Sequence, residues 1–339
     1  MAQKELPMFI PKKTQSELVN PASKGHRHEQ AKRIICSLVA QGLSEEAIFA
    51  ELRSKYENDV TDSELCGLIN WAKEQNFRPY QSKSKHWQAH RIHFPVRIGS
   101  AGNPAKTTPE KAVQNVERLL NGFRCNEADL WHVSPWHPSE NWKLDALPLL
   151  AGLYYAEDCI NVVWDCVEKE GKAHPIGAGK TLKRDEWFCH IRDGGVPEGK
   201  GGAWIRPNPV KPKGSGKGGA CTDADVISCR FALLEFDDLP VNLQISLLAK
   251  LQLPIAAIVL SGGRSAHAWI KVDCKNGEQH SQTTNRLLTA LASYGIDANN
   301  KNPSRMSRLP GAKRTIGAIG DGEQKLLFLN PEPTFESIF

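Results

Sequence analysis

Between Arg27 and Ala72 the apolar residues recur every three or four positions, the spacing of amphipathic helices. Ala31, Ile34, Ile35, Leu38 and Val39 share one face of a first helix, which Gly42 stops. Ser44 caps a second helix that buries Ile48, Phe49, Leu52 and Tyr56. Thr61 and Glu64 have capping-box spacing and open a third, which buries Leu65, Leu68, Ile69 and Ala72. The pattern predicts a small all-α module over 26–78, preceded by a loose leader, 1–25.

A second unit begins where Thr108 caps a helix, Pro109 takes its first position and Gly122 ends it. INVVWDCV, 160–167, reads as a strand. The glycine- and proline-rich run 193–220 reads as a mobile loop around one short strand at Trp204–Arg206. From 230 the apolar residues fall in short runs split by helical patterns. RFALLEF is a strand, LPVNLQISLLAKL a helix, IAAIVL a strand, SGGRS a turn and AHAWIKV a strand. GEQHSQTTNRLLTALASYG is a helix stopped by Gly295, and QKLLFL, 324–329, is a last strand. The order β-α-β-β-α-β is the split βαβ arrangement of ferredoxin-like and RNA-recognition folds. The expected fold class is α+β, with an RNA-recognition-like core at about 228–333, an extra α/β subdomain within 109–339, and the N-terminal all-α module.

Composition narrows the classes. A chain of 339 residues is long enough for more than one domain. It has no run of about 18 apolar residues, so no membrane span is expected. MAQKELPMFIPKK lacks an apolar signal-peptide core, so a cytoplasmic location is expected. Nine cysteines, an odd number with no CxxC, read as reduced thiols and do not support zinc. The net charge of +5 lies wholly in residues 1–108, whereas 109–339 is neutral. Within the first part, 79–108 contains Lys83, Lys85, Arg91, Arg97 and Lys106, three histidines and no acid. That stretch is either a contact for single-stranded nucleic acid or a plain basic linker.

The chemistry begins at LLEFDDLP, 233–240. Side chains alternate along a strand, so Glu235 and Asp237 share a face, about 7 Å apart. Such a pair is half of a hard-cation site; otherwise it is a strand end exposed to water, with Asp238 capping the next helix. SGGRSAHAW, 261–269, supplies Arg264, Ser265 and His267 from one turn, a set suited to an anion and above all a triphosphate. The alternative for His267 is a satisfied core histidine. GIDANNKNPSRMSRLPGAKR, 295–314, supplies Asp297 and then Arg305, Arg308, Lys313 and Arg314, either a third part of the site or a solvated basic loop. IGAGKT, 176–181, ends like a P-loop but has His174 where the motif needs glycine, and is expected in a β-hairpin. Trp131, Trp136 and Trp142 are close in sequence; base stacking is open to them, and core packing is expected for at least two.

Three acids, a Ser-x-His turn and an arginine-rich third segment, in this order on such a sheet, resemble the archaeo-eukaryotic primase superfamily, in particular the primase-polymerases of phages, plasmids and other mobile elements. LLEFDD is similar to the family's hydrophobic-acid-x-acid motif, SGGRSAH to its Ser-x-His motif and GID to its third. The first acid here is Glu, where the family more often has Asp. The resemblance spans about 109–333. It implies a template-directed nucleotidyltransferase that makes or extends primers on single-stranded DNA from NTPs or dNTPs. Glu235, Asp237 and Asp297 would hold two Mg²⁺ or Mn²⁺ ions. Arg264, Ser265, His267, Arg305 and Arg308 would bind the nucleotide's phosphates. A nuclease or end-processing polymerase on the same site, and a silent nucleic-acid-binding module, are the alternatives. The module at 26–78 resembles the small helical domain that accompanies many such primases, usually after the catalytic domain. No helicase motif lies within these residues, and a separate replicative helicase is among the partners the resemblance allows.

Overall fold

The computed structural model describes residues 12–20, 27–40, 43–53, 55–56, 60–74, 107–139 and 141–339. The chain divides into two compact units, Met1–Ser84 and Lys85–Phe339. The basic residues Lys83, Lys85, Arg91, Arg97 and Lys106 lie outside the described residues. Among the described residues, no helix is long and apolar enough to cross a membrane.

The first unit contains α1 (Lys12–Val19), α2 (Arg27–Ala40), α3 (Glu45–Arg53) and α4 (Asp62–Glu74). The stripe Ala31, Ile34, Ile35 and Leu38 on α2 is buried against Ile48 and Leu52 of α3 and Leu65 and Ile69 of α4. Val39, Phe49 and Leu68 are only partly buried at its margin. The capping box forms: Thr61 N–H donates to Glu64 Oε2 at 2.8 Å, and Glu64 N–H donates to Thr61 Oγ1 at 3.2 Å. The segment expected to be a loose leader instead contributes α1, whose Leu18 is buried in the same cluster.

The second unit opens with α5 (Pro109–Leu120), α6 (Glu127–Val133) and α7 (Ala146–Leu153). Thr108 caps α5 as expected, and Asn121 in the left-handed region ends it, one residue ahead of Gly122. The expected strand 160–167 is two strands, β1 (Cys159–Val163) and β2 (Cys166–Lys169), broken at Trp164 and Asp165. β2 folds back on β3 (Lys172–Pro175), while β4 (Lys180–Lys183) returns to β1. IGAGKT lies across the turn between β3 and β4. After α8 (Arg184–Gly194), β5 (Trp204–Ile205) pairs with the other side of β1. Here the expectation of a mobile loop is corrected: residues 201–210 form an unbroken buried run. The small glycines let backbone pack where side chains would not, and Gln324 accepts the Ala203 N–H at 3.0 Å.

The legible order follows: β6 (Cys229–Leu234), α9 (Val241–Lys250), β7 (Ile255–Leu260), β8 (Ala266–Cys274), α10 (Gly277–Leu291), β9 (Ser307–Arg308) and β10 (Leu326–Leu329). An α+β fold is observed, with two four-stranded antiparallel sheets, β4-β1-β5-β9 and β10-β7-β8-β6. In the second sheet the hairpin strands β7 and β8 are central, and the first and last strands are edges. RNA-recognition sheets instead place the first and third strands at the centre, so the linear order is as expected but the order across the sheet differs. Ala232, Leu234 and Phe236 enter the core with Ala112 and Val116 of α5, Leu247 and Leu248 of α9, and Leu287 of α10. The edge of β6 is satisfied by buried Asn208, whose Oδ1 accepts from the N–H groups of Arg230 and Phe231 at 2.8 and 2.9 Å. Asp238 does not cap α9; Pro240 holds that position without a side-chain bond. Trp131, Trp136 and Trp142 are not core residues. None is buried, and Trp131 stacks on His137 with ring centroids 4.7 Å apart.

Candidate active site

β6 and β8 bring the first two motifs together. Their register pairs Leu234 with Ala268, and one further step sets Glu235 opposite His267. Because faces alternate, Phe231, Leu233, Glu235, His267 and Trp269 all lie on the side away from α9. Glu235 Oε2 is 3.5 Å from His267 Nε2. Phe236, pointing the other way, is fully buried and anchors the strand end.

The Ser261–Ser265 turn holds its shape through Ser261 Oγ, which accepts from the N–H groups of Gly263 and Ser265, both at 3.2 Å. Gly262 sits at φ 66°, and a Cβ there would meet the Gly322 carbonyl. Gly263 is small for another reason: a Cβ would press on the Arg314 guanidinium and the Gly317 carbonyl. Arg264 projects outward, and its Nη2 is 3.8 Å from Asp237 Oδ2.

The third segment is tied down by Asp223, whose Oδ1 accepts from Ser304 N–H at 3.1 Å and Asn302 Nδ2 at 3.0 Å. Asp297 N–H donates to the Glu235 carbonyl at 2.8 Å. Asp297 Oδ2 is 3.8 Å from Arg305 Nη2. Arg308 is buried, donates to the Gly201 carbonyl at 2.6 Å and lies 4.2 Å over the Trp204 ring.

Electrostatics separate the members of this group. Burial, then the Asp237 charge, pushes the Glu235 carboxyl up to about 8. Burial, then the Arg308, Arg305 and Arg314 charges, holds His267 well below the usual imidazole range, so the ring is neutral at physiological pH. Burial, then the adjacent Arg314 charge, lowers Arg308. The acids thus lie among an excess of fixed positive charge, an arrangement suited to an anionic ligand.

The structure brings Glu235, Asp237, Asp297, Arg264, Ser265, His267, Arg305 and Arg308 to one end of the sheet. It does not gather the three acids on a point. Among the described residues no group of three His, Cys, Asp or Glu side chains is arranged to hold a metal ion. Three carboxylates suit a hard cation by chemistry. By position each is engaged elsewhere: Asp237 with Arg264, Asp297 with Arg305, and Glu235 with Asn300 Nδ2, 3.3 Å from its Oε1. A cation shared by all three needs Asp237 and Asp297 to turn away from their arginines.

Three neighbours of the site, Asn300, Ser307 and Trp269, escaped the sequence reading, and a fourth, Arg314, was not singled out. Asn300 and Ser307 are short polar residues in a loop with no period to mark them. Trp269 reads as a core tryptophan. Arg314 was visible in the third segment, but nothing local set it apart from Lys313, which is exposed while Arg314 is buried.

No family model and no curated protein matches the chain. Two solved structures are similar. The AEP domain of the cyanophage S-2L primase-polymerase is 20% identical with a TM-score of 0.34, over 52% of this chain and 83% of that one. The catalytic domain of the primase Repb', determined in complex with initiator DNA, is 15% identical with a TM-score of 0.36, over 57% of this chain and 88% of that one. Both likenesses are weak.

Proposed function

We propose that the chain is a nucleotidyltransferase that starts or extends a primer on a single-stranded DNA template, using NTPs or dNTPs. The observation that carries this reading is the buried Glu235–His267 pair with Asp237, Asp297 and four arginines around it, assembled from three separate segments. Carboxylates beside a cation-lined, hydroxyl-bearing turn are what a nucleoside triphosphate and its divalent counter-ions require. Arg264, exposed at the mouth, and Arg305 are free to move from their carboxylates onto phosphate oxygens. His267 offers a hydrogen bond from below, as does Ser265 once its hydroxyl turns away from Ser261, and Arg308 and Arg314 supply fixed positive charge beneath. Once Asp237 and Asp297 turn from their arginines, Glu235, Asp237 and Asp297 would be the oxygen ligands for two Mg²⁺ or Mn²⁺ ions. When bound, such ions supply Lewis-acid stabilisation of the transferring phosphoryl group and activation of a 3′-hydroxyl.

One observation favours a second reading, a silent nucleic-acid-binding module: the acids pair with arginines rather than converging. A primer-synthesis assay on unprimed single-stranded DNA, with each nucleotide set and each metal, decides between them. Incorporation by the native protein and none by Asp237→Ala is expected. DNA binding without incorporation under every condition would establish the silent module instead.

A further inference from the structure

Trp269 Nε1 donates to Ser307 Oγ at 2.8 Å. An indole nitrogen can only donate, so it sets the direction of whatever follows. Ser307 is fully buried. Among the described residues, the acceptor within reach of its own hydroxyl hydrogen is His267 Nδ1, 3.3 Å away. Across the ring, Nε2 is 3.4 Å from Ser265 Oγ. Ser265 in turn gives its hydrogen to Ser261 Oγ at 3.3 Å, and so is left to accept.

One placement of the hydrogens serves Trp269, Ser307, His267 and Ser265 together. Ser307 donates to Nδ1, Nε2 carries the imidazole proton, and that proton points at Ser265 and Glu235. In the opposite tautomer Nδ1–H and Trp269 both donate to Ser307, whose fully buried hydroxyl hydrogen then has no acceptor among the described residues, a costly arrangement. The polarity runs from Trp269 through Ser307, His267 and Ser265 to Ser261, each bond reinforcing the next. It also crosses between sheets, since Trp269 and His267 are on β8 and Ser307 is on β9.

We propose that Trp269 and Ser307 are positioning residues that fix His267 as a hydrogen-bond donor, with Nε2–H facing the site. A nitrogen that presents a proton has no lone pair for a metal ion. His267 therefore serves an anionic oxygen, such as one on a triphosphate or on the departing pyrophosphate. The identity of that anion rests on the proposed nucleotidyl transfer; the tautomer does not.

Long-range ¹H–¹⁵N correlation on the ¹⁵N-labelled full chain reads the tautomer directly. His267 is assigned by its loss in His267→Gln or, where that variant does not fold, by contacts of its ring protons with the Trp269 indole. A pyridine-type shift at Nδ1 and a pyrrole-type shift at Nε2 are expected on both sides of the Glu235 pKa of about 8. A pyrrole-type Nδ1 in the native protein overturns the proposal. Ser307→Ala should mix the tautomers and weaken binding of a fluorescent ATP analogue with Mg²⁺ by about two- to tenfold, the scale of one hydrogen bond. Ser307→Thr, which keeps the hydroxyl, should restore both. Weaker binding in Ser307→Ala with unchanged ring shifts also overturns it, because the serine would then be only structural. The expected ring shifts in a protein that binds no nucleotide would support the relay and refute the nucleotidyl-transfer reading.

Discussion

The backbone N–H of Asp297 donates to the carbonyl oxygen of Glu235 at 2.8 Å. Main chain, not side chain, thus joins the third motif to the first. The position of Asp297 survives changes to the carboxylates themselves, which makes their substitution informative.

Asp237→Ala should remove nucleotide incorporation and leave the fold in place. Asp237 is partly exposed and contacts Arg264 only at 3.8 Å, so stability should change by no more than about 0.5 kcal/mol. Loss of a ligand for the phosphoryl-stabilising ions should slow incorporation by about two orders of magnitude or more. Full extension activity in a correctly folded variant would end the metal-site reading.

Stability should carry the mark of Glu235. Its proton is held up to about pH 8 when folded, against 4.5 for the ordinary carboxyl. Between those values the folded state binds more protons than the unfolded, so stability falls as pH rises through that window. Glu235→Gln should flatten the fall and exceed the native protein above about pH 8, by a few kcal/mol at most. Asp145, pushed up to about 7 by burial, adds a similar decline that cancels between the two proteins. Denaturant titrations in chelator across this range test it; parallel curves would show that Glu235 titrates normally.

Divalent cations should protect the native protein more than the variant. Ligand binding to the folded state alone raises stability by mass action. Mg²⁺ or Mn²⁺ should therefore raise the melting temperature of the native chain in a concentration-dependent way, and Asp237→Ala should respond much less. Identical responses would place the bound cation elsewhere.

The two sheets share a structural clamp remote from the chemistry. Arg230 on β6 makes a two-pronged pair with Asp158, just before β1, at 2.6 and 2.8 Å, and lies 4.0 Å over the Tyr155 ring. Arg230→Ala leaves a buried carboxylate without its cation and should cost about 3–5 kcal/mol. Chemical denaturation measures this, and a cost under about 1 kcal/mol would mean that this pair does not clamp the sheets.

Template grip should reside in the N-terminal part of the chain. Each phosphate contact on a single strand contributes about 0.7 to the salt slope. If three to five of Lys83, Lys85, Arg91, Arg97 and Lys106 make such contacts, a chain starting at residue 108 should show a slope shallower by roughly 2–3.5. It should still extend an annealed primer. Anisotropy titrations over a salt series compare the two, and equal slopes would make the stretch a linker only.

Much of this protein was determined by sequence alone, because the signals are local. Helical spacing located α2, α3 and α4 with the stripe each buries. Short apolar runs located β6, β7, β8 and β10, and a capping threonine located the start of α5. Alternation put Glu235 and Phe236 on opposite sides, but β6 ends at Leu234 and Asp237 lies in the turn that follows, so the expected shared strand face of Glu235 and Asp237 is not formed. Tertiary structure decided what sequence spacing does not encode. Strand order across the sheet depends on which edges find partners, so the central place of β7 and β8 had no local sign. The run 201–210 looked mobile because glycine and proline mark loops, yet neighbouring segments bury it and Gln324 bonds to it. The same holds at the site. Which carboxylate faces which arginine, and that a tryptophan and a serine from different sheets set the proton on His267, follow from contacts between residues far apart in the chain. No period along the sequence carries that information.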